Sequence, residues 1–226
     1  MNHDPIRPSA PPCDPLTIAA IGLVAGALTD LIHEGLGHGG ACLLVGGKPM
    51  LLTSMNFVGD QSGLPPWTRR IVSAGGTMAN LLAGGLALLS LRSRPWGPHL
   101  YYFVWLFAAL NLYVGTGYFL FSGMSNIGDW ANVIAGLPGV WVWRGLLVVL
   151  GGLSYFFCVR MMLAMARPFT GGDPAVRYRR ANVLMLIPYF AGAIMGVLAG
   201  ALNPEAKALI LISAVAEIRK IGRAHV

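Results

Sequence analysis

The sequence predicts an all-α membrane protein, a polytopic bundle of five or six spanning helices, and three observations predict it. Of 226 residues, 55% are hydrophobic and only 11% are charged, with a mean hydropathy of +0.63, a balance foreign to soluble globular domains. The apolar residues gather into runs of about 20, the length that crosses a bilayer core. The bases, 16 Lys+Arg against 9 Asp+Glu for a net charge of +7, sit in short breaks between those runs, where positive charge orients spanning helices. No basic stripe interleaved with aromatics is present, so nucleic acid is not an expected partner. The cysteines, at 13, 42 and 158, are too scattered for a disulfide framework or a sulfur metal site.

Met1 to Pro15 holds five prolines among polar residues and reads as a disordered leader that lacks the basic start of a signal peptide. Spans are expected near 16–45, 71–91, 99–121, 145–166 and 182–202, with a sixth beginning near Pro204 and cut short. The first run exceeds one hydrocarbon thickness and carries Asp30, His33, Glu34 and His38, so part of it must face protein or water. Gly46 to Arg70 mixes Gly, Pro and polar residues with the β-prone stretch Met50 to Val58. That pattern fits a short hairpin or re-entrant segment beside the bundle, where protein covers its backbone.

If every run crosses once, Arg92, Arg94, Arg160, Arg167, Arg177, Arg179 and Arg180 share the side of the N-terminus, against Lys48, Arg69, Arg70, Arg144 and Lys207 opposite. The larger set points to a cytoplasmic N-terminus. Size and composition fit the cytoplasmic membrane of a bacterium. Residues 16–135 carry the polar motifs and 136–220 read as additional helices. The last stretch, Ile221 to Val226, reads as a non-native tail resembling a translated sequencing adapter, with the natural chain diverging after about Lys220.

Ionisable groups inside apolar runs are costly and point to function. The segment His33-Glu34-Gly35-Leu36-Gly37-His38 sets two imidazoles around a carboxylate, the residue types with which zinc is held and a proton is taken from water. The usual spacing places the histidines four apart, about 40° around a helix, whereas five apart is about 140° and turns the rings away from each other. A π-bulge, which adds one residue to a turn, would restore a common face. Gly35 and Gly37 lower the cost of that distortion. The spacing also resembles the zinc motif of dipeptidyl peptidase III.

A catalytic zinc takes three protein ligands and one open position. Asp129, in Ser125-Asn126-Ile127-Gly128-Asp129-Trp130, is the leading third ligand; its competing reading is a solvated loop residue or helix cap. Asp30 is the alternative, either in the third place or orienting a histidine as a second-shell group. Cys42, one turn after His38, reads as a packing residue.

The order of these motifs resembles the site-2 protease family of membrane-embedded zinc metallopeptidases. The segment Ser73 to Asn80 is similar to that family's Gly-Pro-x-x-Asn, with Gly76 matching the glycine, Thr77 in place of the proline and Asn80 retained. Asn111-Leu112 and Asp129 are similar to its Asn-Leu-x-Pro and Asp-Gly segments, and the likeness covers about Leu16 to Ala135. The chain departs from the pattern in the longer histidine spacing, the missing proline-rich approach to the aspartate, and Trp130 after Asp129. The resemblance implies Zn²⁺ held by His33, His38 and Asp129, with Glu34 as the catalytic proton carrier. It implies Asn80 as a hydrogen-bond donor to substrate or oxyanion, unless it serves as an interhelical contact. A membrane protein or peptide would be the substrate. The competing expectation is a non-proteolytic membrane protein, a metal-ion carrier or an inactive peptidase-like scaffold.

Gly75-Gly76, Gly84-Gly85 and Gly151-Gly152 offer surfaces for close helix approach. The tryptophans mostly flank the spans as an aromatic belt. Arg177-Tyr178-Arg179-Arg180 reads as an orientation signal that can also meet anionic headgroups.

Overall fold

A computed structural model of the chain describes residues 14–53, 56–93, 96–170 and 173–202. The leader before Asp14, the expected sixth span and the expected tail lie outside the described residues. Five helices are long and apolar enough to cross a membrane, and a two-stranded sheet accompanies them. The chain is a multi-pass membrane protein with a helical bundle fold.

The first span runs from Pro15 to Leu44 in three pieces: α1 (Pro15–Leu31), a π-helical segment (Ile32–Gly39) and α2 (Gly40–Leu44). Asp14 starts it, its carboxylate accepting from Thr17 N at 2.8 Å and Thr17 Oγ1 at 2.6 Å, with Pro15 at the first helical position, where no N–H is needed. Those bonds, chiefly the Thr17 hydroxyl, hold the Asp14 carboxyl below its ordinary range. At the far end Gly46 takes φ +83, a left-handed backbone that favours glycine, and turns the chain into β1 (Lys48–Leu52) and β2 (Phe57–Asp60). These pair antiparallel from Lys48 opposite Asp60 to Leu52 opposite Phe57, with an irregularity between Pro49 and Leu51. The hairpin packs through Phe57 and the fully buried Cys42, which joins Ala41 and Val72. Cys42 is a packing residue here.

Four more helices follow the hairpin: α3 (Trp67–Ser93), α4 (Pro98–Ser125), α6 (Val140–Thr170) and α7 (Pro174–Leu202), with the short α5 (Asp129–Ile134) between α4 and α6. The last starts earlier than its hydropathy predicts, so Arg177, Arg179 and Arg180 lie on its opening turns instead of in a loop. One aromatic core ties α4 to α6 and α7. Tyr102 Oη donates to Leu184 O at 2.6 Å, Trp105 Nε1 to Met162 O at 3.2 Å, and Phe169 packs edge-on against both rings. The outer faces of α6 and α7 stay apolar and exposed, at Leu146, Leu153, Phe157, Ile194 and Val197 among others, as lipid contact requires.

Helix α3 meets the π segment backbone to backbone. A Cβ on Gly37 would lie 2.5 Å from Gly76 Cα and 2.8 Å from Gly75 O, whereas one on Gly40 would meet nothing within 4 Å. Glycine at 37 is therefore a packing requirement between two main chains that cannot yield as a side chain can. Gly37→Ala should cost about 1–3 kcal/mol or more, while Gly40→Ala should be neutral or stabilising by up to about 1 kcal/mol. Thermal unfolding of the two variants in one detergent checks the contrast.

Candidate metal centre

The π-helical segment decides the geometry. Its extra residue per turn brings His33 and His38 onto one face, their rings edge to face with centroids 4.8 Å apart and their Nε2 atoms at 3.2 Å. On an α-helix the same pair would diverge. Both side chains are buried against α3. Gly76 supplies the room, since a Cβ there would lie 2.5 Å from His33 Nε2 and 2.7 Å from His38 Nε2.

Asp129 arrives from the other direction. Helix α4 ends at Ser125, Asn126 adopts the left-handed conformation with φ 56, and Gly128 takes φ 87, so the chain folds back and presents the first residue of α5. Asp129 Oδ2 lies 3.1 Å from His33 Nε2 and 3.4 Å from His38 Nε2. Trp130 pins that return: its ring lies 4.6 Å from that of Phe119 and its Nε1 donates to Thr77 Oγ1 at 3.0 Å. Thr77 and Trp130 are two of the positions at which the chain departs from the site-2 protease pattern, and they bond to each other.

The outer nitrogens fix the tautomers. Asn80 Nδ2 donates to Asn111 Oδ1 at 2.8 Å and to Thr29 O at 3.3 Å, which turns Asn80 Oδ1 towards His33 Nδ1 at 2.5 Å. His33 must then carry its proton on Nδ1. His38 Nδ1 likewise donates to Val72 O at 2.7 Å. Both Nε2 atoms keep a lone pair, and with the Asp129 carboxylate they make three acceptors converging on one point. Such a triangle needs a cation or a shared proton at its centre. A tetrahedral ion with bonds of about 2.0–2.1 Å sets its ligands about 3.3–3.4 Å apart, against the 3.1, 3.2 and 3.4 Å found here. Among the described residues, His33, His38 and Asp129 form a group able to hold a metal ion. Burial works against ionisation of Asp129, but its bonds to His33 and His38 outweigh it and keep the carboxyl below the ordinary range.

Two expected roles change. Asn80 is wholly buried and its amide is taken up by His33, Asn111 and the α1 carbonyl of Thr29, so it orients His33 and presents nothing to a substrate. Asn111 continues that network, donating to Thr29 Oγ1 at 3.0 Å. Asp30 is neither third ligand nor histidine partner. Three residues before His33 it lies about 60° away around the helix, and it lines a groove shared with Gly192, Met195 and Gly196 of α7.

Glu34 and the metal group open onto one cleft of about 410 Å³, whose lining includes His38, Asp129, Phe57, Gln61 and Tyr118. The backbone N–H of Phe57 lies against the Glu34 carboxylate. Sequence reasoning missed Tyr118 and Gln61. The Tyr118 ring stacks on His33, centroids 4.8 Å apart and 22° from parallel, and Gln61 Oε1 is buried without a hydrogen-bond partner. Tyr118 follows Asn111 by seven residues, which returns to the same helix face, and that spacing was the available signal. Gln61 had none, because its position depends on how the hairpin lies against α3. Compared with protein-family models, curated proteins and solved structures, the chain matches none.

Asn80→Ala should leave the fold intact enough to purify but weaken zinc binding about 10- to 100-fold. Competition with a chromogenic chelator measures it, and an unchanged affinity would refute the orienting role.

Proposed function

We propose that the protein is a membrane-embedded zinc metallopeptidase that hydrolyses peptide bonds of membrane protein or peptide substrates within or beside the bilayer. The observation that carries this reading is the convergence of three metal-binding lone pairs with Glu34 on a single polar cleft. Zinc, bound by His33, His38 and Asp129, would polarise the scissile carbonyl and make water acidic enough to attack it near neutral pH.

The chain's own residues do the rest. Asn80 and the Val72 carbonyl hold the two imidazoles with their Nε2 lone pairs forward. Glu34 takes a proton from the attacking water; as the C–N bond breaks, it passes that proton to the leaving nitrogen. Tyr118, beside the group and on the same cleft, gives a hydroxyl donor for the oxygen on which negative charge develops. Substrate must enter as an extended segment, because a hydrogen-bonded helix hides its carbonyls. Gln61 Oε1, buried on the cleft wall without a partner, is placed to accept from a substrate backbone N–H.

Elemental analysis should find about one zinc per purified chain, lost in His33→Ala, His38→Ala and Asp129→Ala. Glu34→Gln should keep the metal and lose at least about 100-fold in peptide hydrolysis. Tyr118→Phe should also keep the metal, lowering kcat by about 100-fold or more with KM little changed. Full turnover by Glu34→Gln would overturn the peptidase reading in favour of a carrier or inactive scaffold.

A further inference from the structure

A second cavity, of about 390 Å³, lies between the end of α6 and the start of α7. It belongs to the other end of the bundle. The metal group sits where α5 leads into α6, and the 28 residues from Val140 to Arg167 set the two sites about 40 Å apart along the helix axis. Its lining comes from two facing stripes. Leu163, Ala166, Arg167 and Thr170 recur at helical spacing on α6, and Arg177, Ala181 and Met185 on α7.

The stripes share one gradient. Arg167 and Arg177 stand at the mouth, where one membrane-spanning helix stops and the next begins, while Leu163 and Met185 lie one to two turns deeper towards the hydrocarbon. Ala166 and Ala181, both small, leave the space between them. The nearby acid, Asp173, already accepts from Ala175 N at 2.9 Å and Val176 N at 3.1 Å through Oδ1, capping α7. The mouth is therefore cationic and the floor apolar.

Two guanidiniums on separate helices match the oxygens of a phosphate with paired donors. A free phosphate would satisfy them but would leave the apolar floor without a function. A phospholipid fills both ends, because its headgroup anion stays at the water boundary while its chains run inward. The cavity opens at the level where such headgroups lie and on the arginine-rich side, which also holds Arg92, Arg160, Arg179 and Arg180.

We propose that this cavity binds one anionic phospholipid, with Arg167 and Arg177 holding the headgroup phosphate and Leu163, Ala166, Ala181 and Met185 flanking the acyl chains. The site is independent of the metal centre, and it stands or falls apart from the peptidase reading.

The test uses the full chain in nanodiscs and reads retained lipid by native mass spectrometry and thermal stability. Wild-type protein should retain phosphatidylglycerol over phosphatidylcholine, and Arg167→Gln with Arg177→Gln should weaken that preference about 10- to 30-fold. Ala181→Phe, which fills the floor and keeps both arginines, should abolish it as well. Equal retention of the two lipids by the wild type would overturn the proposal. So would an unchanged preference in Ala181→Phe, which would assign the effect to diffuse surface charge. Inorganic phosphate reproducing the full stabilisation without lipid would also overturn it and assign the arginines to a free anion.

Discussion

Two histidines five residues apart can share one ligand face only where the helix carries an extra residue per turn, and the first span is organised around that constraint. The π-helical segment from Ile32 to Gly39 supplies the turn, and its cost is local backbone irregularity at membrane depth. Gly37 lets α3 approach until main chains touch, so the neighbouring helix covers the irregular stretch. Gly76 on that helix then leaves room for the rings themselves. The distortion and its cover are one structure: remove either glycine and neither the helix contact nor the imidazole pair fits.

Around this pair the buried polar groups form a closed chain. Thr29, Asn80 and Asn111 come from three different helices and satisfy one another as well as His33. In a low-dielectric interior an unmet amide costs several kcal/mol, so the network fixes the register of α1, α3 and α4 as firmly as apolar packing would. It also fixes chemistry. Because Asn80 Oδ1 can only accept, the His33 proton is held on Nδ1 and the opposite nitrogen is left bare. The amide that looked suited to hold a substrate is thus committed to preparing a ligand.

Thr77 and Trp130 show how a change in one motif is answered in another. A proline at position 77 would offer no side-chain acceptor, and a glycine at position 130 no donor or ring. Together they tie α5 to α3 through a hydrogen bond and to α4 through Phe119. That clamp holds Asp129 over the histidines without the proline-rich approach expected by resemblance. The left-handed Asn126 and Gly128 make the reversal sterically accessible.

Composition and hydropathy alone determined that this chain crosses a membrane five times among its described residues, because the penalty for exposing backbone to lipid forces long apolar helices that are visible in one dimension. The rarity of ionisable residues likewise singled out His33, Glu34, His38 and Asp129, since each is expensive where it stands. The β-prone stretch after the first span marked the hairpin by its residue types. Only the tertiary structure decided the rest. Whether residues 33 and 38 face the same way depends on a turn type that packing against α3 stabilises, and the role of Asn80 depends on three helices meeting at one point. Asp30 looked equivalent to Asp129 in sequence, yet α7 takes up the face on which it lies. Tyr118 and Gln61 reach the cleft through contacts between elements far apart in the chain, which no local pattern encodes.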